Sequence, residues 1–442
     1  MLVTETVEPR VDVAQTAPSP LAPKGYYRYT ICALLFFATT INYVDRSILA
    51  ILKSTLMTDL NWSETDYGNV VASFSFAYAL GYGFAGRAMD LLGVRIGYAI
   101  AVAAWSAAAM GHGLARTVLG FGVMRGALGL AEGGNFPAAV KTVSEWFPKR
   151  ERAFATGLFN AGSNVGAIVA PAIVPWLTTQ YGWPAAFYVT GALGFVWLIF
   201  WWAIYQSPEV HPRVSEGELS YIQSDPVDPP SHVPWLSLLH YRQVWAFIIG
   251  MSLSSPIWWF FLFWTPGFLQ KRFDYGLNDI ALPLMLIYFL ADFGSIGGGW
   301  LSGWLMKHGW SLNAGRKTAM LVCALSVVPV FAAAMVNQAW IAVGLIALAA
   351  SAHQGFSANL YTLVSDMAPR KVVSSIVGLG GMSAGFIAMG FQMLTGRILD
   401  RWPNGYLAIL IVASVSYLIN LLIIHLLVPR MEPMKIEATA AT

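Results

Sequence analysis

The sequence predicts an all-α polytopic membrane protein, with twelve transmembrane helices arranged as two six-helix bundles. Three observations carry that prediction. Of the 442 residues, 57% are hydrophobic and only 11% are charged, with a mean hydropathy of +0.58, whereas soluble domains carry about 25% charged residues. Apolar runs of about 20 residues, the length that crosses a bilayer, recur along the chain. One long polar stretch, 207–240, separates them into six and six.

In chain order, residues 1–24 are polar and Pro/Ala-rich and lack the basic start and short apolar core of a signal peptide, so they read as a disordered cytoplasmic tail. An N-terminal bundle follows over 25–206, with spans near 28–52, 67–90, 97–116, 118–140, 153–178 and 185–205. The stretch "SPEVHPRVSEGELSYIQSDPVDPPSHVP" has no apolar run and reads as a cytoplasmic linker over 207–240. The C-terminal bundle, 241–429, has spans near 241–270, 281–306, 317–336, 339–364, 373–399 and 406–428. A second cytoplasmic tail occupies 430–442. Two six-span halves joined by a polar loop match the paired repeats of transporters.

Orientation follows from basic loops. Loops with Arg87 and Arg95, with Lys141, Lys149, Arg150 and Arg152, with Lys307, Arg316 and Lys317, and with Arg370 and Lys371 fall on the side of Lys24 and Arg28. Both termini are therefore expected in the cytoplasm; Lys271 and Arg272 are the local exception, offset by Asp274 and Asp279. The two cysteines, Cys32 and Cys323, lie inside apolar runs and imply neither a disulfide framework nor a metal cluster.

Several motifs interrupt the apolar pattern. The loop after span 2 reads Gly86-x-x-x-Asp90-x-x-Gly93-x-Arg95. Its glycines permit a tight turn and close helix approach, and Asp90 can pair with a basic group at a neighbouring helix end. By itself this is also an ordinary cytoplasmic turn with a positive-inside arginine. The second half carries a degraded echo from Gly303 to Lys317, without the aspartate.

Span 1 holds "INYVDRSILA", with Asp45 and Arg46 adjacent in the apolar interior. Charges at mid-membrane cost about 2.5–3.5 kcal/mol each and mark function by default. In span 4, "MRGALGLAEGGNFPAAV", Arg125 and Glu132 are seven apart and share a face. Arg125 alone could also snorkel to an interface. In span 5, Asn160 and Asn164 share a face, either as substrate contacts or as interhelical hydrogen bonds. The second half offers Trp258, Trp259 and Trp264 in span 7, Asp292 in span 8, His353, Gln354 and Asn359 in span 10, and Ser383 and Gln392 in span 11. The tryptophans could stack on a sugar ring or simply pack. A lone intramembrane histidine such as His353 more often makes a helix–helix hydrogen bond. Ser383 and Gln392 could reach sugar hydroxyls.

In this six-plus-six layout, the loop after span 2 resembles the signature of the major facilitator superfamily. The "NYVDR" of span 1 and "RGALGLAEGGNFPAAVKTVSEWFP" with "ATGLFNAGSNVGA" of spans 4 and 5 are similar to its anion:cation symporter family. Within that family, "SPIWWFFLFWTPGFL" (255–269) and "NLYTLVSDMAPRKVVSSIVGLGGMSAG" (359–385) look most like bacterial hexuronate (glucuronate/galacturonate) transporters. The resemblance covers essentially the whole chain after the tail.

It implies a proton-coupled symporter that imports a sugar acid across the bacterial cytoplasmic (inner) membrane by alternating access, driven by the proton gradient with no cofactor. Other organic anions, such as galactonate, glucarate or an aromatic carboxylate, are the alternative. It implies that Arg46 binds the substrate carboxylate, that Asp45 and Glu132 carry protons, and that Tyr43 and Tyr78 line the site. Substrate contacts are then expected from Arg46, Tyr43, Tyr78, Asn164, Trp264, Ser383, Gln392, His353 and Asn359. Proton coupling is expected from Asp45, Glu132 and Arg125, and gating from Gly86, Asp90, Gly93 and Arg95. The expected partners are a small sugar acid, protons and the lipid bilayer, with no nucleic acid, and the protein is expected to be a monomer. No nucleophile–base or metal constellation suggests an enzyme, and a channel or receptor calls for neither two like halves nor a mid-membrane Arg/Asp/Glu set.

Neighbouring residues on a helix diverge by about 100°. Asp45 and Arg46 are therefore expected to split, with Arg46 facing the central cavity and Asp45 turned to the flank, toward span 4.

Overall fold

The computed structural model describes residues 25–224 and 235–434. The expected tail over 1–24, residues 225–234 of the expected linker and 435–442 of the second tail lie outside the described residues. So do the side chains of Asp90, Lys149, Arg150, Ala153, Trp235, Leu236, Arg370, Lys371 and Ser374.

Every regular element among the described residues is helical. The first half comprises α1 (Tyr27–Ile51), α2 (Lys53–Leu60), α3 (Glu64–Leu92), α4 (Val94–His112), α5 (Val118–Glu132), α6 (Asn135–Trp146), α7 (Lys149–Tyr181) and α8 (Trp183–Ile204). Two short helices follow, α9 (Glu216–Ile222) and α10 (Trp235–Leu238). The second half comprises α11 (Arg242–Phe273), α12 (Ala281–Lys307), α13 (Leu312–Val327), α14 (Ala339–Met367), α15 (Arg370–Arg401) and α16 (Gly405–Leu427).

Among the described residues, ten spans are long and apolar enough to cross a membrane. Two more complete the expected twelve. Helix α3 is long, but Glu64, Asp66, Arg87 and Asp90 dilute its ends. Span 4 is broken into α5 and α6, where Gly133 and Gly134 interrupt the helix immediately after Glu132. The sequence reading had span 4 as one helix over 118–140. Only glycine fits at this break, where a Cβ on Gly133 would lie 2.6 Å from the Tyr82 backbone nitrogen.

Local signals set the helix ends. Ser63 and Asp66 form a reciprocal capping box at the start of α3. Gly93 takes φ +73 between α3 and α4, the left-handed turn that the loop motif requires of a glycine. The linker is less featureless than expected. Helix α9 docks under α1, and Glu218 accepts the Tyr27 and Arg28 backbone N–H groups at 3.2 and 3.1 Å. Arg28 in turn pairs with Glu151 at 2.9 Å.

The two halves meet most closely along α3 and α15. A Cβ on Gly68 would lie 2.8 Å from the Gln392 carbonyl, and one on Gly385 would lie 2.6 Å from the Ala79 Cβ. The close approach runs on to Gly83, facing Met382, and then ends. A Cβ on Gly86 or Gly378 meets nothing within 4 Å, and Phe84 is 68% exposed. The halves therefore close at the end opposite the basic loops and diverge toward the basic-loop end.

Candidate functional site

The site forms in the first half, where α1, α3 and α5 pack together. Glycines allow this: a Cβ on Gly129 of α5 would lie 2.5 Å from the Phe74 carbonyl of α3. That close approach lets an arginine of α1 reach a carboxylate at the last residue of α5.

Arg46 and Glu132, 86 residues apart in sequence, form a buried ion pair. Arg46 Nε donates to Glu132 Oε2 at 3.0 Å, and Nη2 lies 2.9 Å from the same oxygen. Arg46 Nη2 also donates to Asn42 Oδ1 at 3.1 Å, one turn back on α1. Three rings surround the guanidinium, with centroids 4.6 Å (Tyr43), 4.9 Å (Tyr78) and 5.2 Å (Phe74) away. A guanidinium on aromatic faces and a carboxylate is held by cation–π attraction and charge-assisted hydrogen bonds together. Arg46 is 4% exposed and Glu132 is fully buried.

Arg125 lies behind this pair. Its Nη2 donates to the Arg46 carbonyl at 2.8 Å, and its guanidinium lies over the Phe74 ring, 4.8 Å from the centroid. Arg125 Nε and Nη1 and Glu132 Oε1 make no hydrogen bond. Arg125 is therefore a buried participant, not a snorkelling interface residue.

Asp45 takes no part in the hydrogen bonds that hold Arg46. Its carboxylate is buried, and neither oxygen has a hydrogen-bond partner. The 100° offset between adjacent residues accounts for the separation from Arg46.

Tyr43 and Tyr78 sit where expected, half-buried beside Arg46. Tyr78 continues into a ring of aromatics, with Tyr82 at 6.1 Å and Trp259 of the second half at 5.6 Å between centroids. Asn164 is half-buried on α7, its side chain accepting from the Ser163 hydroxyl at 3.3 Å.

The remaining second-half candidates do not join the Arg46 cluster. Trp264 Nε1 donates to Gln392 Oε1, and both are fully buried near Lys53. His353 Nδ1 bonds the Tyr417 hydroxyl at 2.6 Å and stacks on Trp258. Asn359 Nδ2 donates to the Gly298 and Gly355 carbonyls, both at 2.9 Å. Ser383 shares a 2.8 Å hydrogen bond with Ser252. For His353 and Asn359 the interhelical role is the observed one. Sequence reading missed Asn42, Phe74, Tyr82 and Lys53. Only Asn42 carried a signal, being one helical turn from Arg46 within the same motif.

At the basic-loop end, Arg95 Nη2 donates to the Trp202 carbonyl at 3.1 Å and its guanidinium lies over the Trp202 ring. Gly86 lies within α3, beside open space. In the second half, Arg316 pairs with Asp366 at 3.0 Å and donates to the Ser302 hydroxyl at 2.9 Å. The echo therefore draws its carboxylate from the end of α14 instead of from its own loop.

Residues 35–389 match the family model described as Major Facilitator Superfamily. The chain belongs to the major facilitator superfamily. Members of the superfamily are transporters, and this chain is a membrane transporter, not an enzyme. The superfamily fold also appears in a solved xylose transporter from E. coli in an inward-open conformation, with TM-score 0.70, 12% identity and coverage of 91% of this chain and 97% of that one. Among curated superfamily relatives, the chain is 32% identical over 403 residues to the hexuronate transporter of Escherichia coli strain K12, covering 90% of this chain and 93% of that protein. It is 33% identical over 287 residues to the galacturonate transporter of Dickeya chrysanthemi, covering 64% of this chain and 83% of that one.

Proposed function

We propose that this transporter is a proton-coupled symporter importing a hexuronate, glucuronate or galacturonate, across the bacterial cytoplasmic membrane. The observation that carries the reading is the buried Arg46–Glu132 pair beside Tyr43 and Tyr78. The hexuronate and galacturonate relatives support the substrate class.

Arg46 binds the substrate carboxylate in place of Glu132. A guanidinium fork suits a planar carboxylate, and Tyr43, Tyr78 and Trp259 offer flat apolar faces to the sugar ring. When the substrate takes Arg46, Glu132 loses its partner. A buried charge left alone costs about 3–5 kcal/mol, and taking up a proton removes that cost. Linkage makes the effect reciprocal, so that protonation favours substrate binding. Arg46, Arg125, Asp45 and Glu132 sum to zero when ionised. One substrate anion with one proton preserves that neutrality while the halves rock, and a second proton on Asp45 makes transport electrogenic.

In this reading both termini are cytoplasmic, the basic-loop end opens inward, and the carrier works as a monomer. The test is uptake into proteoliposomes from a panel of glucuronate, galacturonate, galactonate, glucarate and phthalate, with and without an inward proton gradient. Gradient-stimulated uptake of the hexuronates above the others is expected. Preference for an aldonate, aldarate or aromatic acid would overturn the substrate assignment.

A further inference from the structure

A second charge cluster, built on the buried Lys53 and Glu64, lies at the end opposite the basic loops, and it joins the halves. Lys53 and Glu64 belong to the first half, Lys271 and Asp400 to the second. Lys53 is 2% exposed and ion-paired with Glu64. Its Nζ also donates to the Tyr406 hydroxyl of α16 at 3.1 Å and lies 4.5 Å from the centroid of Trp264 on α11. Glu64 Oε1 receives Lys271 Nζ at 3.3 Å.

Asp400 supplies the most specific contact. Its two carboxylate oxygens accept the backbone N–H groups of Glu64 and Thr65 at 2.9 and 2.7 Å. These are the first N–H groups of α3, so a carboxylate of one half caps a helix of the other. Helix α3 already has its own reciprocal cap from Ser63 and Asp66. The Asp400 contact is therefore surplus to starting the helix, and its product is a joint between the halves.

We propose that Lys53, Glu64, Lys271 and Asp400 form an electrostatic latch, closed in this structure and dismantled once per transport cycle. The proposal rests on reading the chain as an alternating-access carrier. The division of charges makes the latch reversible. When the halves part, Lys53 keeps Glu64 within the first half, so neither is stranded. Lys271, already 59% exposed at its side chain, and Asp400 go into water with the second half. Opening therefore breaks hydrogen bonds and cation–π contacts without isolating a buried charge.

The test uses the purified full-length protein in detergent and a membrane-impermeant maleimide. One reporter is Ser54→Cys, since Ser54 Oγ donates to Gln270 Oε1 across the same joint at 2.7 Å. The other is Phe84→Cys, at the open basic-loop end. Cys32 and Cys323 are buried, and the parent protein gives the background. Asp400→Ala should raise the Ser54→Cys labelling rate about fivefold or more, as expected for losing charge-assisted hydrogen bonds across the joint. Lys271→Met, at a mostly exposed side chain whose loss does not threaten folding, should raise it in the same direction. Phe84→Cys labelling should not rise in either variant. Unchanged Ser54→Cys labelling in both variants, or faster labelling at both reporters from general loosening, would overturn the latch. The assay contains no substrate, so its outcome is separate from the hexuronate assignment.

Discussion

Arg46 commits two nitrogens, Nε and Nη2, to a single oxygen of Glu132, Oε2, while Glu132 Oε1 makes no hydrogen bond. The pair is held by one shared acceptor instead of two parallel bonds. A carboxylate that offers both oxygens to Arg46 has the better geometry, and so has the means to displace Glu132.

Arg46→Lys should therefore fail almost as completely as Arg46→Ala. An ammonium keeps the charge but loses the fork and the flat face that lies among Tyr43, Tyr78 and Phe74. The expected outcome is loss of substrate-induced thermal stabilisation and of uptake in both variants. Lysine uptake within a few-fold of the parent would show that charge alone suffices.

Glu132→Gln should separate coupling from carriage. Glutamine is neutral at every pH, so the site no longer gains from taking up a proton. Gradient-driven accumulation should vanish while exchange of labelled for unlabelled substrate persists. Accumulation at the parent level in Glu132→Gln would remove this residue from the coupling scheme.

Asn42→Ala should weaken binding without touching the charges. Asn42 Oδ1 orients Arg46 Nη2, and a hydrogen bond to a charged group contributes about 1.5–3 kcal/mol. Affinity measured by calorimetry should fall by about tenfold or more, with the proton dependence of uptake retained. An unaltered affinity would mean that the aromatic rings alone fix the guanidinium.

His353→Leu should act on stability and not on substrate. His353 is buried, bonded to Tyr417 and stacked on Trp258, so the variant leaves the Tyr417 hydroxyl with only its long contact to the Ser254 carbonyl. A stability loss of about 1–3 kcal/mol is expected, seen as a lower melting temperature with KM unchanged. A raised KM with unchanged melting would place His353 at the substrate.

The spans were legible because a bilayer imposes length and hydropathy on each helix separately, and α8, α12 and α16 follow their apolar runs to within two residues at each end. The charged centre was legible for a related reason: Arg46, Arg125 and Glu132 are conspicuous where lipid should exclude them. What sequence could not supply was the partner of each polar group. Trp264 and Gln392 both invite reading as sugar contacts, and Trp264 Nε1 donates to Gln392 Oε1 across 128 residues while Gln392 Nε2 keeps no partner. Lys53 and Glu64 escaped notice because they sit at the edges of apolar runs, where charges are ordinary.

The glycine-lined crossing of α3 and α15 bears on how fast such a molecule can work. Gly68, Gly385 and Gly396 present bare backbone to the opposite helix, so no knobs sit in holes there. Such a surface behaves as a bearing: one helix can roll on the other without lifting side chains out of sockets. A leucine at any of these positions would convert the bearing into a ratchet.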